Sequence, residues 1–287
     1  PEKIHLGKLI EEIKKGRFVI PDFQREFDWE PWDVRDLIKS IFMDYYIGTL
    51  LLWEGNSENY QKLACAPLYA FKRKLDPEYI VLDGQQRLSA MHYAFFQPDV
   101  NFRKRKNPFY FFVDLKQLLA ENFEDAFSYT SMSKGILEIL NSTELQYENH
   151  TFPLGMMQEG SWGIDDWIKG YRDYWTDKSE VEQDELKKEV FEKNSKDARS
   201  IKEFFSDLLN DYQISYISLD KQLALNKVCD IFTHINSKGK ALDTFDLLNS
   251  ITRKEDIYLK EMYREASKKT DDLTYPGFEI KSQILMV

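Results

Sequence analysis

The sequence predicts an α+β fold: a small mixed sheet with surrounding helices, plus a helical subdomain. Two observations carry this. Short apolar runs at Phe18-Val19-Ile20, Thr49 to Trp53, Tyr79 to Leu82, Pro108 to Leu115 and Ile214 to Leu219 read as strands, and stretches of helical periodicity lie among them. From Lys116 to Asn210 that alternation gives way to a helical, acidic segment rich in long side chains. The expected organisation is a core over 1–115, a helical subdomain over 116–210, and a strand–helix segment over 211–287 that completes the core and ends in a helical tail.

Taken in order, Leu6, Leu9, Ile10 and Ile13 share one helical face, and Gly16 is placed to end that helix. Pro21 stops the strand at Phe18-Val19-Ile20. Pro31 then opens a second helix, with Val34, Leu37, Ile38, Ile41, Phe42 and Tyr45 as its apolar stripe. Trp29 and Trp32 read as packing residues. Positions 56–76 read as an irregular excursion. After Tyr79 to Leu82, the residues Leu88, Met91, His92 and Phe95 predict a helix with one buried face. Ile201, Phe204, Phe205 and Leu208 mark an amphipathic helix late in the middle segment, and Leu225, Val228, Phe232 and Ile235 mark another after the last strand.

Composition narrows the function. With 43% hydrophobic residues, 287 positions are ample for a core. A net charge of −10 argues against coating nucleic acid non-specifically, while leaving room for a local cationic pocket. Two cysteines, Cys65 and Cys229, make no disulfide framework and fit a reducing cytoplasm. The histidines lack zinc-ligand spacing, and no run approaches the roughly 20 apolar residues of a membrane span. The chain has no initiator Met and stops at Met286-Val287, which fits a fragment of something longer.

Three stretches hold chemistry. The central one, Asp83-Gly84-Gln85-Gln86-Arg87, joins a strand to a helix, and a helix start offers unpaired N–H groups to an anion. Gly84 permits close approach of a ligand, and Arg87 could clamp an oxyanion with its planar fork. Asp83 suits a helix cap, a metal ligand or an acceptor for a sugar hydroxyl. The second stretch, Ile20 to Trp32, places Gln24 and Arg25 in a strand–helix connection, where scaffolds commonly hold functional groups. In the third, around Asn236, Lys238 and Gly239, two cations flank an Asn/Gly turn that is equally an ordinary link between helices. A basic cluster, Arg103 to Lys106, could touch phosphates, although such loops are more often simply solvated.

In order and spacing, the three stretches resemble the N-terminal domain of GmrSD-type modification-dependent restriction endonucleases, which has a ParB/sulfiredoxin-like fold. The residues that carry the resemblance are Ile20-Pro21-Asp22-Phe23-Gln24-Arg25-Glu26-Phe27-Asp28-Trp29, Asp83 to Leu88, and Phe232, Ile235, Asn236, Gly239 and Leu242 followed by Asp246-Leu247. The resemblance implies binding and hydrolysis of a nucleoside triphosphate (GTP or a relative) with Mg²⁺, coupled to action on modified or foreign DNA in an anti-phage restriction system. Asp83, Gly84, Gln85, Gln86 and Arg87 would face the phosphates, with Gln85 or Gln86 orienting water and Asp83 near the metal. Gln24 and Arg25 would form a second wall, and Asn236, Lys238 and Gly239 a third. Arg87→Ala is then expected to keep the fold and lose nucleotide affinity. Full-length members commonly carry an HNH-type nuclease domain that this chain does not contain, so that activity is expected from another domain or subunit. The rival readings are a non-catalytic DNA- or partner-binding module and a ParB-like nuclease.

Overall fold

A computed structural model describes residues 1–236 of the chain. Strand β1 (Glu2–His5) leads into helix α1 (Leu6–Lys14), which buries Leu6, Leu9, Ile10 and Ile13 as their spacing predicts. Gly16 follows at φ +72°, a left-handed conformation that glycine adopts without a Cβ penalty. Strand β2 (Phe18–Ile20) ends at Pro21, and α2 (Pro31–Phe42) starts on Pro31 with the Asp33 carboxylate accepting from the Glu30 N–H at 2.8 Å. Next come β3 (Leu50–Glu54), α3 (Ser57–Lys62), β4 (Ala66–Pro67), β5 (Tyr79–Asp83) and α4 (Gln85–Phe96). The middle of the chain holds β6 (Tyr110–Asp114), α5 (Leu115–Leu119), α6 (Phe123–Ala126), β7 (Phe127–Thr130), α7 (Lys134–Leu140), α8 (Thr143–Glu148) and β8 (Thr151–Pro153). A 3-10 turn then leads into the long helices α9 (Gly160–Val181) and α10 (Glu185–Asn210), followed by β9 (Gln213–Leu219) and α11 (Leu225–Asn236).

The main sheet is mixed, as the sequence predicts. Its six strands run in the order β1-β9-β3-β5-β2-β4, with β2 parallel to β5 and β3 parallel to β9. Strand alternation sends side chains to two cores. Phe18, Leu50, Leu52 and Val81 join the large core beneath α1, α2 and α4. Val19, Leu51, Trp53, Ile80 and Leu82 face the other way, where Val228 and Phe232 of α11 cover them.

Three local expectations change. Strand β6 does not enter the main sheet but forms the centre of a second, antiparallel sheet, β7-β6-β8. Its partners come from the stretch that reads as purely helical, because strands of four and three residues are too short to show a period. The excursion over 56–76 contains α3 and the edge strand β4, where Pro67 is tolerated because an edge needs no N–H on its open side. Helix α4 is buried on all sides, every residue but Arg87, instead of on one face. It packs against α2, α1 and the 3-10 turn, and Ser89, Ala90 and Ala94 let those neighbours approach closely.

Candidate functional site

The site is built on the handover from β5 to α4. Gly84 caps α4 at φ +94°, and a Cβ there would overlap Leu50 Cδ2, so backbone conformation and space both demand glycine. Of the three roles open to Asp83, helix capping is excluded, since Gly84 holds the cap position of α4. Asp83 Oδ2 instead accepts from Arg87 Nη2 at 3.0 Å, one helical turn away, and its side chain remains 44% exposed.

Arg87 turns back toward its own scaffold. Nη1 donates to the Ile47 carbonyl at 2.7 Å and Nη2 to the Thr49 carbonyl at 3.0 Å, which leaves the side chain 16% exposed. The guanidinium fork thus satisfies two backbone acceptors at the entry to β3 as well as one carboxylate. Gly48, between those two carbonyls, sits at φ +92°, and a Cβ on it would strike Arg87 Nη1. Sequence reasoning missed Gly48; its only local signal is a glycine directly ahead of a strand.

The first and second motifs are stitched together by side-chain amides. Gln24 Nε2 donates to the Val81 and Leu82 carbonyls at 2.5 and 2.9 Å. In return Gln85 Nε2 donates to the Arg25 carbonyl at 2.7 Å, and Gln86 Nε2 to the Glu26 carbonyl at 3.0 Å. Gln86 Oε1 also accepts from the Asp28 N–H at 2.9 Å. An irregular segment pressed against a core strand leaves backbone groups without ladder partners, and glutamine supplies both donors and an acceptor to satisfy them. Gln86 uses both ends of its amide, whereas Gln85 Oε1 is buried without a partner. Arg25 differs from the rest: it is exposed, and its guanidinium makes no hydrogen bond or ion pair among the described residues.

The third motif approaches through α11, where the Phe232 ring packs edge-on against Phe23 at 5.1 Å. Asn236 is the last residue of that helix. Its side chain, and all of Lys238 and Gly239, lie outside the described residues.

The basic cluster has an internal role. Arg103 pairs with Glu26, Lys104 with Asp28 at 2.8 Å and Arg105 with Glu30 at 2.6 Å, so consecutive cations meet alternate acids of the first-motif loop. The Lys104 ammonium holds the Asp28 carboxyl below its ordinary range. Arg105 also lies 6.0 Å above the ring of Trp32, which is 45% exposed where packing was expected, while Trp29 is half-buried against the core.

Among the described residues no three His, Cys, Asp or Glu side chains gather as a metal site, and Asp83 is the one carboxylate of the Asp83–Arg87 stretch. A lone carboxylate suits Mg²⁺, which keeps much of its water and leans on phosphate oxygens, better than it suits a closed protein cage. No described helix is long and apolar enough to cross a membrane.

Comparison with known proteins adds to this geometry. The family profile of the GmrSD restriction endonuclease N-terminal domain matches residues 6–253. The chain is also similar to the uncharacterized protein MJ0686 of Methanocaldococcus jannaschii, with 29% identity over 280 residues, covering 91% of this chain and 43% of that protein. The chain therefore spans less than half the length of this relative.

Proposed function

The chain belongs to the GmrSD restriction endonuclease N-terminal domain family, and from that premise we propose that it binds and hydrolyses a nucleoside triphosphate with Mg²⁺ at the Asp83–Arg87 junction. One observation carries the reading. The amide stitching sets the Arg25 backbone beside the strand–helix handover that carries the half-exposed Asp83 carboxylate, and the Arg25 side chain is exposed with no hydrogen bond or ion pair among the described residues.

In this reading Arg25 neutralises phosphate charge and the first turn of α4 donates its free N–H groups. Asp83 holds the metal, which supplies charge neutralisation across the phosphates when bound. Phosphoryl transfer asks mainly for positioning and charge, and Gln85, whose Oε1 lacks a partner, is better placed than Gln86 to orient water. Gln24, Gln86 and Arg87 are positioning residues that hold the loop and the strand entry. The family resemblance assigns Asn236, Lys238 and Gly239 to the same site. Modified or foreign DNA, and an HNH nuclease domain or subunit beyond this chain, are the partners through which turnover controls restriction.

The test is phosphate release from ATP, GTP, CTP and UTP with Mg²⁺, comparing wild type with Arg25→Ala and Asp83→Ala. We expect turnover of at least one nucleotide, reduced tenfold or more in both variants. If the wild type neither binds nor turns over any of the four, the reading is wrong. A second reading, a non-catalytic binding module, is favoured by the complete use of Gln86 and Arg87 on internal partners. Binding without phosphate release would select it.

A further inference from the structure

At Tyr79, the end of β5 remote from the motif junction, a cavity of about 560 Å³ opens between α1 and the main sheet. Its floor is apolar and buried: Leu9 of α1, Phe18 of β2, and Leu50 and Leu52 of β3. Two half-buried rings, Tyr79 and Tyr216, line its sides, and Tyr79 already stacks on Phe18 at 5.8 Å. That size, with an apolar floor and a few convergent polar groups, is typical of a small-ligand pocket.

The rim gives the ligand's charge. Lys3, Lys8, Lys15 and Arg17 line it against only Glu12 and Glu78, a local excess of two positive charges on a chain of net charge −10. Within the cavity the compensation is shared. Lys8 and Lys15 share the single oxygen Oε1 of Glu12, each at 3.0 Å, and Arg17 approaches the other oxygen at 3.5 Å. Arg17 also approaches Glu78 at 3.6 Å, carboxylates outside the cavity, Glu11 and Asp76, reach Lys8 and Arg17, and Glu2 accepts from the Tyr216 hydroxyl at 2.7 Å. Lys3 pairs with nothing among the described residues.

We propose that this cavity is a second small-molecule site, which takes a planar ring bearing a phosphomonoester, the size of a nucleoside monophosphate. A phosphomonoester carries about −1.5 to −2 at neutral pH, which matches the rim, and the tyrosine rings provide faces for a flat body. Glu12 and Glu78 provide acceptors for ring N–H or sugar hydroxyl groups. The site is distinct from the triphosphate junction, although Leu50 forms the floor of one and packs against Gly84 of the other.

The test is titration of AMP, GMP, CMP and UMP, followed by ligand-observed NMR, against wild type, the Lys8→Glu/Lys15→Glu double variant, Tyr216→Ala and Arg25→Ala. Circular dichroism verifies that each variant is folded. We expect at least one monophosphate to bind, with affinity lowered tenfold or more by the double charge reversal and also lowered by Tyr216→Ala. Arg25→Ala, at the other end of β5, should leave that affinity unchanged. The proposal is overturned if no monophosphate binds at millimolar concentration or if affinity survives both cavity variants. Loss of monophosphate binding in Arg25→Ala would also overturn it, by assigning the ligand to the junction. Triphosphate turnover is measured separately, so either site can fail without the other.

Discussion

Strand β5 has two ends of opposite character. At Asp83 the polar side chains are almost all engaged internally: Gln24, Gln86 and Arg87 bind backbone carbonyls, and Asp83 binds Arg87. At Tyr79 a cavity with an apolar floor is ringed by more cations than acids. The contrast teaches that a dense polar motif need not be a set of ligand contacts. Much of the motif holds two chain segments together, and the groups our reading gives to a ligand are those left over: Arg25, the outer face of Asp83 and Gln85 Oε1. Stability measurements can separate the two kinds of residue, because a structural knot and a ligand rim respond differently to substitution.

Acid should have the largest effect, because it acts on the helix that carries the knot. His92, in the middle of α4, donates from Nδ1 to the Tyr69 carbonyl at 2.9 Å, and burial pushes its pKa down to about 4. His150, against Tyr171 at 2.7 Å, is likewise lowered to about 4, mainly by burial and then by Lys116. Both folded-state values lie below the unfolded value of about 6.5, so between those limits the unfolded chain binds the extra protons. Stability is therefore full above pH 6.5 and falls as pH drops toward 4, by up to about 3 kcal/mol for the buried His92 and by less for His150, which solvent screens. Urea midpoints across that range should decline steadily, and His92→Gln should remove the larger part of the slope. A flat profile would mean that α4 tolerates a charge in its core, and the knot would not depend on it.

Arg87→Ala comes next. It strands the Ile47 and Thr49 carbonyls and removes the partner of Asp83, with an expected loss of about 3 kcal/mol. Arg87→Lys should recover little, because an ammonium cannot span both carbonyls as the fork does. The sequence-based expectation was that Arg87→Ala spares the fold. A urea midpoint equal to wild type would restore Arg87 as a phosphate clamp and undo the structural half of the comparison.

These residues also mark how far the sequence can be read. Helices α1 and α2 were legible because their apolar residues recur at helical spacing and Gly16 and Pro31 punctuate them. The mixed sheet followed from short apolar runs. The second sheet was hidden because β7 and β8 are too short to show alternation and pair only across long separations. Helix α4 looked one-sided because Gln85, Gln86 and Ser89 are polar, yet each is buried. The three motifs were visible as strings, and Phe23, Gln24 and Phe232 do bring them together. What the string could not give was direction: that the glutamines point at the neighbouring loop, that Arg103 to Arg105 pair with Glu26, Asp28 and Glu30, or that Gly48 is required by Arg87.

Gly48→Ala tests that last point. A Cβ at φ +92° is strained and collides with the Arg87 guanidinium, so the expected loss is about 2 kcal/mol. If the knot is one unit, Gly48→Ala and Arg87→Ala should be non-additive, because both break the same contact. Full additivity in a double-mutant cycle would show two independent effects and weaken the picture of a single knot.

The smallest expected effect lies at the other end of β5. Lys15 is about half exposed and shares the Glu12 carboxylate with Lys8, and an exposed ion pair of this kind contributes little because water and salt screen it. Lys15→Glu should leave the urea midpoint at the wild-type value while altering monophosphate binding. That pairing of outcomes is what separates a rim from a knot: a cation retained for a ligand can be reversed without unfolding the chain, whereas one retained for the fold cannot. If Lys15→Glu instead destabilised the protein as much as Gly48→Ala, the cationic rim would be a structural device as well. The two ends of β5 would then differ only in which backbone they hold.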